Sequence, residues 1–240
     1  MNSIDDNLLE TGGEGRVLLE PESKAVLEQW RIPTVHCEVA ASPEQAVELA
    51  HSIGFPVVLK ILSPHILHKT DADGVRLDLK TEQDVRSAFE EIVKSAKSSF
   101  PSASISGVTV QKMVSGIEVV VGVAKDVQFG HALMFGLGGL WVELLRDTTF
   151  RLIPIDAADA DEMIREIKGF PLLQGYRGYR ADIERLRTIL LGVSDLIMAH
   201  PDIEEMDLNP VITSASGTFV ADARLVLAWS ASRSTGTRFN

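Results

Sequence analysis

The stretch PVVLKILSPHILHKTDADGV, residues 56–75, constrains the fold most. Val57, Val58 and Leu59 make an apolar strand, and the helix that feeds it has clear ends: Ser42 as N-cap, Pro43 at N1, Gln45 completing a capping box and Gly54 as the stop. A helix that delivers the chain straight into an apolar strand commits this region to a mixed α/β arrangement. Lys60 closes the strand on this reading. Two histidines, His65 and His68, follow before an Asp-rich turn.

The neighbouring segments extend the pattern. Pro21 opens a helix carrying Val26, Leu27 and Trp30 on one face, and Val35 begins a short strand. GVRLDLK alternates as a half-buried strand does, Thr81 and Asp84 cap a helix of regular apolar period, and GVTVQKMV resumes as a strand. Residues 21–112 therefore form one α+β unit. Three β-rich segments come next, GIEVVVGVAKD, HALMFGLGG and TFRLIPI. Helices over 157–168 and 182–199 follow, and EEMDLNPVITSASGTFVADARLVL reads as two strands joined by a Ser/Gly turn. That makes a second unit over residues 113–232, with flexible segments expected at 1–20 and 233–240. A cleft between the two units is the expected ligand site.

Composition removes several function classes. With 45% hydrophobic and 24% charged residues, the 240-residue chain has enough apolar surface for one sizeable core or two modest ones. A formal net charge of -11 and the lack of a basic run argue against nucleic-acid binding. The single cysteine, Cys37, rules out an intrachain disulfide and a cysteine-rich metal site. No apolar run is long enough to cross a bilayer, and the acidic first twenty residues lack a secretory apolar core, so a cytoplasmic location is expected.

Each chemistry-bearing residue has a functional and an ordinary reading. Lys60 either snorkels to solvent or presents its ammonium to an anion. Gln111 and Lys112 end a strand, Ser115 and Gly116 turn, and Glu118 opens the next strand. That pattern can hold a nucleoside, with backbone groups on the base and the acid on ribose hydroxyls, and it is also the pattern of any hairpin. Asp207 and Asn209 are two apart on one strand face, and Asp222 lies on the neighbouring strand. Three hard oxygen donors of this kind suit Mg²⁺ with nucleotide phosphates, or are solvated acids. Gly136, Gly138 and Gly139 allow backbone N–H groups to approach an anion, although the spacing is neither a Walker A loop nor a dinucleotide turn. His65 and His68 lack the further ligands of a zinc site. A neutral imidazole such as His68 can instead carry a phosphoryl group.

Five ordered stretches, LLEPESKAVLEQWRIP, GFPVVLKILSPHILHKTDADGV, GVTVQKMVSGIEVVVGVAKDVQFG, LMFGLGGLWVELLRDTTFRLIPI and EEMDLNPVI with VADARLVL, resemble the ATP-grasp subunit of ADP-forming acyl-CoA synthetases. The resemblance runs over residues 18–228. It implies an α/β, two-lobed ATP-grasp fold, with an N-terminal lobe at 21–112 and a C-terminal lobe at 113–232. It also implies ATP/ADP and Mg²⁺ as cofactors and a CoA-binding α subunit or domain as partner. Lys60 matches the phosphate lysine, Gln111, Lys112 and Val114 the adenine side, Glu118 the ribose acid, and Asp207, Asn209 and Asp222 the magnesium positions. His68 matches the histidine that passes phosphate from the partner's phosphohistidine to ADP. Gly138, Gly139 and Arg151 are further candidates for contacts to phosphate. Asp73 departs from the family pattern by replacing a glycine, which places added charge near the relay; Val127 and His131 replace prolines. A stand-alone carboxylate ligase and a non-catalytic nucleotide-binding subunit are the alternative functions.

Overall fold

The computed structural model of the chain describes residues 16–66, 68–139, 146–176 and 180–228. It opens with strand β1 (Arg16–Leu18) and helix α1 (Glu20–Gln29). Four strands, β2 (Cys37–Ala40), β3 (Val57–Leu62), β4 (Val75–Leu79) and β5 (Gly107–Lys112), make an antiparallel sheet in the order β2-β5-β3-β4. Helices α2 (Pro43–Ile53) and α3 (Glu82–Ser99) pack on one face of it. The Ser42 hydroxyl accepts from the Gln45 N–H, and the Thr81 hydroxyl and Asp84 carboxylate cap α3 reciprocally.

Period-two alternation divides this sheet into two faces. Val57, Leu59 and Ile61 of β3, with Val108 and Val110 of β5, point into the core beneath the helices. Lys60 pairs in register with Thr109 and Val58 with Gln111, so these four face the other way. In β4, a register shift and the left-handed backbone of Asp78 (φ 56°) let Leu77 share that second face while Leu79 enters the core. Lys60 thus lies inside β3, which runs on to Leu62.

The larger sheet contains β6 (Ile117–Asp126), β7 (Gly130–Leu137), β8 (Thr148–Leu152), β9 (Ile203–Ser214), β10 (Gly217–Val220) and β11 (Arg224–Leu227) together with β1. Its order is β1-β11-β9-β6-β7-β8, and β10 pairs with β9. Helices α4 (Ala157–Glu166), α5 (Phe170–Gly175) and α6 (Ile183–Ala199) contribute Met163, Leu173 and Leu190 to its core against Val119, Val121 and Phe135.

Two expectations about domain boundaries change. Residues 16–20 are ordered as part of β1 and α1, and Leu18, Val26 and Leu27 join the larger core. The first helix therefore belongs to the C-terminal lobe, because its apolar face matches that core and not the one beneath α2 and α3. The two lobes are accordingly discontinuous in sequence. The end of the chain also forms three strands, β9, β10 and β11, where two were expected, and Asp222 lies in the link between β10 and β11. Residues 1–15 and the tail at 233–240 lie outside the described residues.

Phe135 is fully buried in the larger core, whereas Phe150 on strand β8 is 58% exposed. Phe135→Ala is expected to lower unfolding free energy by about 3–5 kcal/mol. Phe150→Ala should change it by less than about 0.5 kcal/mol, both read by urea denaturation.

Candidate functional site

The inner faces of the two sheets enclose a cleft of about 600 Å³, which falls within the usual range for small-molecule sites. Its apolar lining comes from both sheets, with Val58, Val75, Leu77, Val114 and Ile212. Its polar lining is Lys60, His68, Lys69, Glu118, Asp207, Asn209 and Asp222. Most of the sequence candidates thus converge although they come from six separate segments.

The floor of the cleft is a cluster of buried charges. Glu20, the first residue of α1, is only 3% exposed. Its Oε1 meets Lys60 Nζ at 2.7 Å and Lys24 Nζ at 2.8 Å, and Oε2 lies 3.3 Å from Lys69 Nζ. Burial by itself would raise the Glu20 carboxyl, but Lys60, Lys69 and Lys24 outweigh it and hold the group far below its ordinary 4.5. Lys24 is pushed down by its own burial, against the pull of Glu20. Lys69 is raised, because Asp222 and Glu20 overcome the burial that would lower it.

Lys60 donates to Glu20, to the Ala221 carbonyl at 2.6 Å and, at 3.4 Å, to Gln111 Oε1. The same Gln111 oxygen accepts from Lys24 at 2.7 Å. Lys60 belongs to the smaller sheet and Ala221 to the β10–β11 link of the larger lobe, so this ammonium ties the lobes together at the base of the cleft. Lys69 Nζ contacts both oxygens of Asp222, at 2.6 and 2.7 Å.

Asp207 is half-buried on β9, in register with Arg224 of β11. Burial raises its carboxyl; Arg224 opposes the shift, and the charge of Asp222 adds to it. Both carboxylates line the cleft, Asp222 paired with Lys69 and Asp207 in register with Arg224. With the Asn209 amide oxygen alongside, they offer the hard donors that a divalent cation shared with phosphate oxygens requires. Lys69 supplies the cationic partner of Asp222 in this structure. Among the described residues no group of three His, Cys, Asp or Glu side chains forms a metal site. A site here would therefore use two carboxylates and an amide.

Four sequence candidates differ from expectation. Arg151 on β8 does not line the cleft; its guanidinium pairs with Glu166 at 2.7 Å and Glu162 at 3.2 Å on α4. Strand alternation turns Lys112 away from Gln111, and its Nζ donates to the carbonyls of Gly54 and Phe55 at the end of α2. The Gly138 N–H is spent on the Glu118 carbonyl at 2.8 Å and is not open to an anion. Gly139 does border the cleft with a left-handed backbone (φ 60°), and a Cβ there would approach Glu118 Oε2 to 3.0 Å. Asp73 likewise has a left-handed backbone (φ 49°) and is held by Arg76 at 2.8 Å, outside the cleft lining. That position favours glycine for conformational reasons, and the Asp73 charge is neutralised locally. His65 Nδ1 accepts from the Ser104 N–H at 3.0 Å, whereas His68 is exposed at the cleft. Glu20, Lys24 and Lys69 were absent from the sequence candidates; the Glu20/Lys24 spacing of four was the only available signal.

The chain belongs to the ATP-grasp family, whose domain model matches residues 10–227. Within that family its relatives include acetate–CoA ligases of the ADP-forming type. It is 44% identical to the β subunit of acetate–CoA ligase (ADP-forming) I of Pyrococcus furiosus, over 89% of this chain and 93% of that one. Single-chain relatives are longer: the chain spans 32% of an Archaeoglobus fulgidus acetate–CoA ligase (ADP-forming) at 45% identity. Among solved structures it resembles the dinucleotide-forming acetyl-coenzyme A synthetase 1 of Ca. Korarchaeum cryptofilum. The complex of that enzyme with coenzyme A and Ca-AMPCP gives a TM-score of 0.85 at 43% identity, covering 88% of this chain and 93% of that one. Its complex with coenzyme A and Mg-AMPPCP, in which a phosphohistidine segment points towards the nucleotide site, gives 0.74 at 40% identity, covering 88% and 92%.

Because Glu20 is depressed in the folded state, its ion pairs add stability above its unfolded value near 4.5, and that stability drains away as pH falls further. Glu20→Gln is expected to cost about 3 kcal/mol at neutral pH. It should also flatten the loss of stability between about pH 5 and pH 3, as measured by urea denaturation at stepped pH.

Proposed function

We infer that the chain is the nucleotide-binding subunit of an ADP-forming acyl-CoA synthetase. The reaction interconverts acyl-CoA, ADP and phosphate with carboxylate, CoA and ATP. The observation that carries this reading is the position of His68, exposed at a cleft where lysine ammonium groups lie beside a pair of carboxylates. A stand-alone carboxylate ligase has no use for that imidazole.

The residue roles follow from the walls of the cleft. Val58, Val75, Leu77, Val114 and Ile212 offer apolar contact to the adenine ring. Glu118 beside Gly139 is placed to accept from ribose hydroxyls. Lys60 and Lys69 neutralise the phosphates, and Asp207, Asn209 and Asp222 hold Mg²⁺, which supplies further neutralisation of phosphate charge when bound. His68 is the phosphate carrier. Its neutral imidazole nitrogen attacks the phosphorus of a phosphohistidine on the partner, breaking one P–N bond as another forms. A terminal oxygen of ADP then attacks the phosphorus on His68, breaking that P–N bond and forming the P–O bond of ATP. Phosphoryl transfer of this kind asks the protein mainly for alignment and charge neutralisation.

Formation of the acyl phosphate and binding of CoA belong to a partner, a CoA-binding α subunit or domain. The greater length of the single-chain relatives supports this division. Among the described residues no helix is long and apolar enough to cross a membrane.

Incubation with radiolabelled ATP and magnesium should place an acid-labile phosphate on the chain. His68→Asn is expected to abolish the label and His65→Asn to keep it. Retention of label in His68→Asn would overturn the relay. Arg151→Ala should leave kcat of the assembled enzyme within about twofold, since its partners are exposed surface acids.

A further inference from the structure

We propose that Glu20 is a positioning residue of the nucleotide site: it holds Lys60 so that one N–H of that lysine is aimed at phosphate. The inference rests on the nucleotide reading given above and adds a residue from outside the cleft wall. Lys60 has three donors and three hydrogen-bonding partners, with Asp222 Oδ2 beyond them at 3.6 Å. One meets the Glu20 carboxylate at 2.7 Å and one the Ala221 carbonyl at 2.6 Å, both fixed groups of the larger lobe. The third reaches Gln111 Oε1 at 3.4 Å, an oxygen already held more closely by Lys24. This long contact is the one an incoming phosphate oxygen can replace at little cost.

Glu20 acts on the neighbouring cations too. Its second oxygen faces Lys69 at 3.3 Å and accepts from the Thr109 hydroxyl at 3.4 Å. Three ammonium groups, from Lys24, Lys60 and Lys69, share two carboxylates, Glu20 and Asp222. The cluster retains one formal positive charge beside the cleft. A buried ammonium that loses its carboxylate partner turns towards water or another acceptor, and that movement would empty the phosphate position. Glu20 thus keeps the cations in place without touching the nucleotide.

The test is a double-mutant cycle on ADP affinity, measured by calorimetry without magnesium on the full chain as wild type, Glu20→Gln, Lys60→Met and the double variant. Glu20→Gln is expected to weaken ADP binding about tenfold and Lys60→Met at least as much. The double variant should bind within about twofold of Lys60→Met, because Glu20 has nothing left to position. A merely structural role would make the two losses multiply, and that result would overturn the proposal. Equal or tighter ADP binding by Glu20→Gln would overturn it as well, since the carboxylate would then only compete with phosphate. If Lys60→Met binds ADP as wild type does, the nucleotide reading fails first and the inference falls with it. Should Glu20→Gln not fold, Glu20→Asp, which keeps the charge but shortens its reach, enters the same cycle with a smaller expected loss and the same coupling to Lys60.

Discussion

The carboxylate of Glu20, buried where the two sheets meet, sets conditions that much of the surrounding chain satisfies. An ionised group removed from water is tolerated only when opposite charge and hydrogen bonds surround it. Lys24 comes from the next turn of the same helix, Lys60 from the middle of β3 and Lys69 from the segment after His68. Each partner lies on a different element. Satisfying one acid therefore fixes the first helix, the smaller sheet and the histidine segment relative to one another. The pairing of β1 with β11 places the start of that helix against the larger sheet.

The same arrangement explains the electrostatics of the cleft. Lys60 and Lys69 line the cleft together with Asp207 and Asp222, so both signs of charge meet there. Phosphate groups and a divalent cation together complement such a pattern; either one alone leaves part of it unmatched. The apolar side chains in the same cleft, such as Val58 and Val114, offer a surface suited to a base. In the proposed function, His68 adds a nucleophile to a site otherwise built for binding.

Much of this could be read from residue order. The strands carrying Lys60 and Gln111 were legible, and the caps at Ser42 and Thr81 marked helix starts that the structure reproduces. Family resemblance supplied the assembly of distant segments into one cleft, which periodicity alone cannot give. Glu20 escaped notice because an acid at the start of a helix is usually an exposed favourable charge, and its burial depends on three lysines as far away as Lys69. Arg151 misled for the opposite reason. Its charge suggested phosphate, yet β8 is the edge strand of the sheet and α4 presents glutamates to it. Gly138 similarly appeared free to bind an anion until the β6–β7 ladder claimed its N–H.

The most direct test is a crystal structure of the chain with Mg²⁺ and ADP. The account requires the adenine against Val58 and Val114, the phosphates within hydrogen-bonding distance of Lys60 or Lys69, and the metal held by Asp207, Asn209 or Asp222, with the Glu20–Lys60 pair intact. Nucleotide bound outside this cleft, or phosphates and metal remote from those residues, would contradict it.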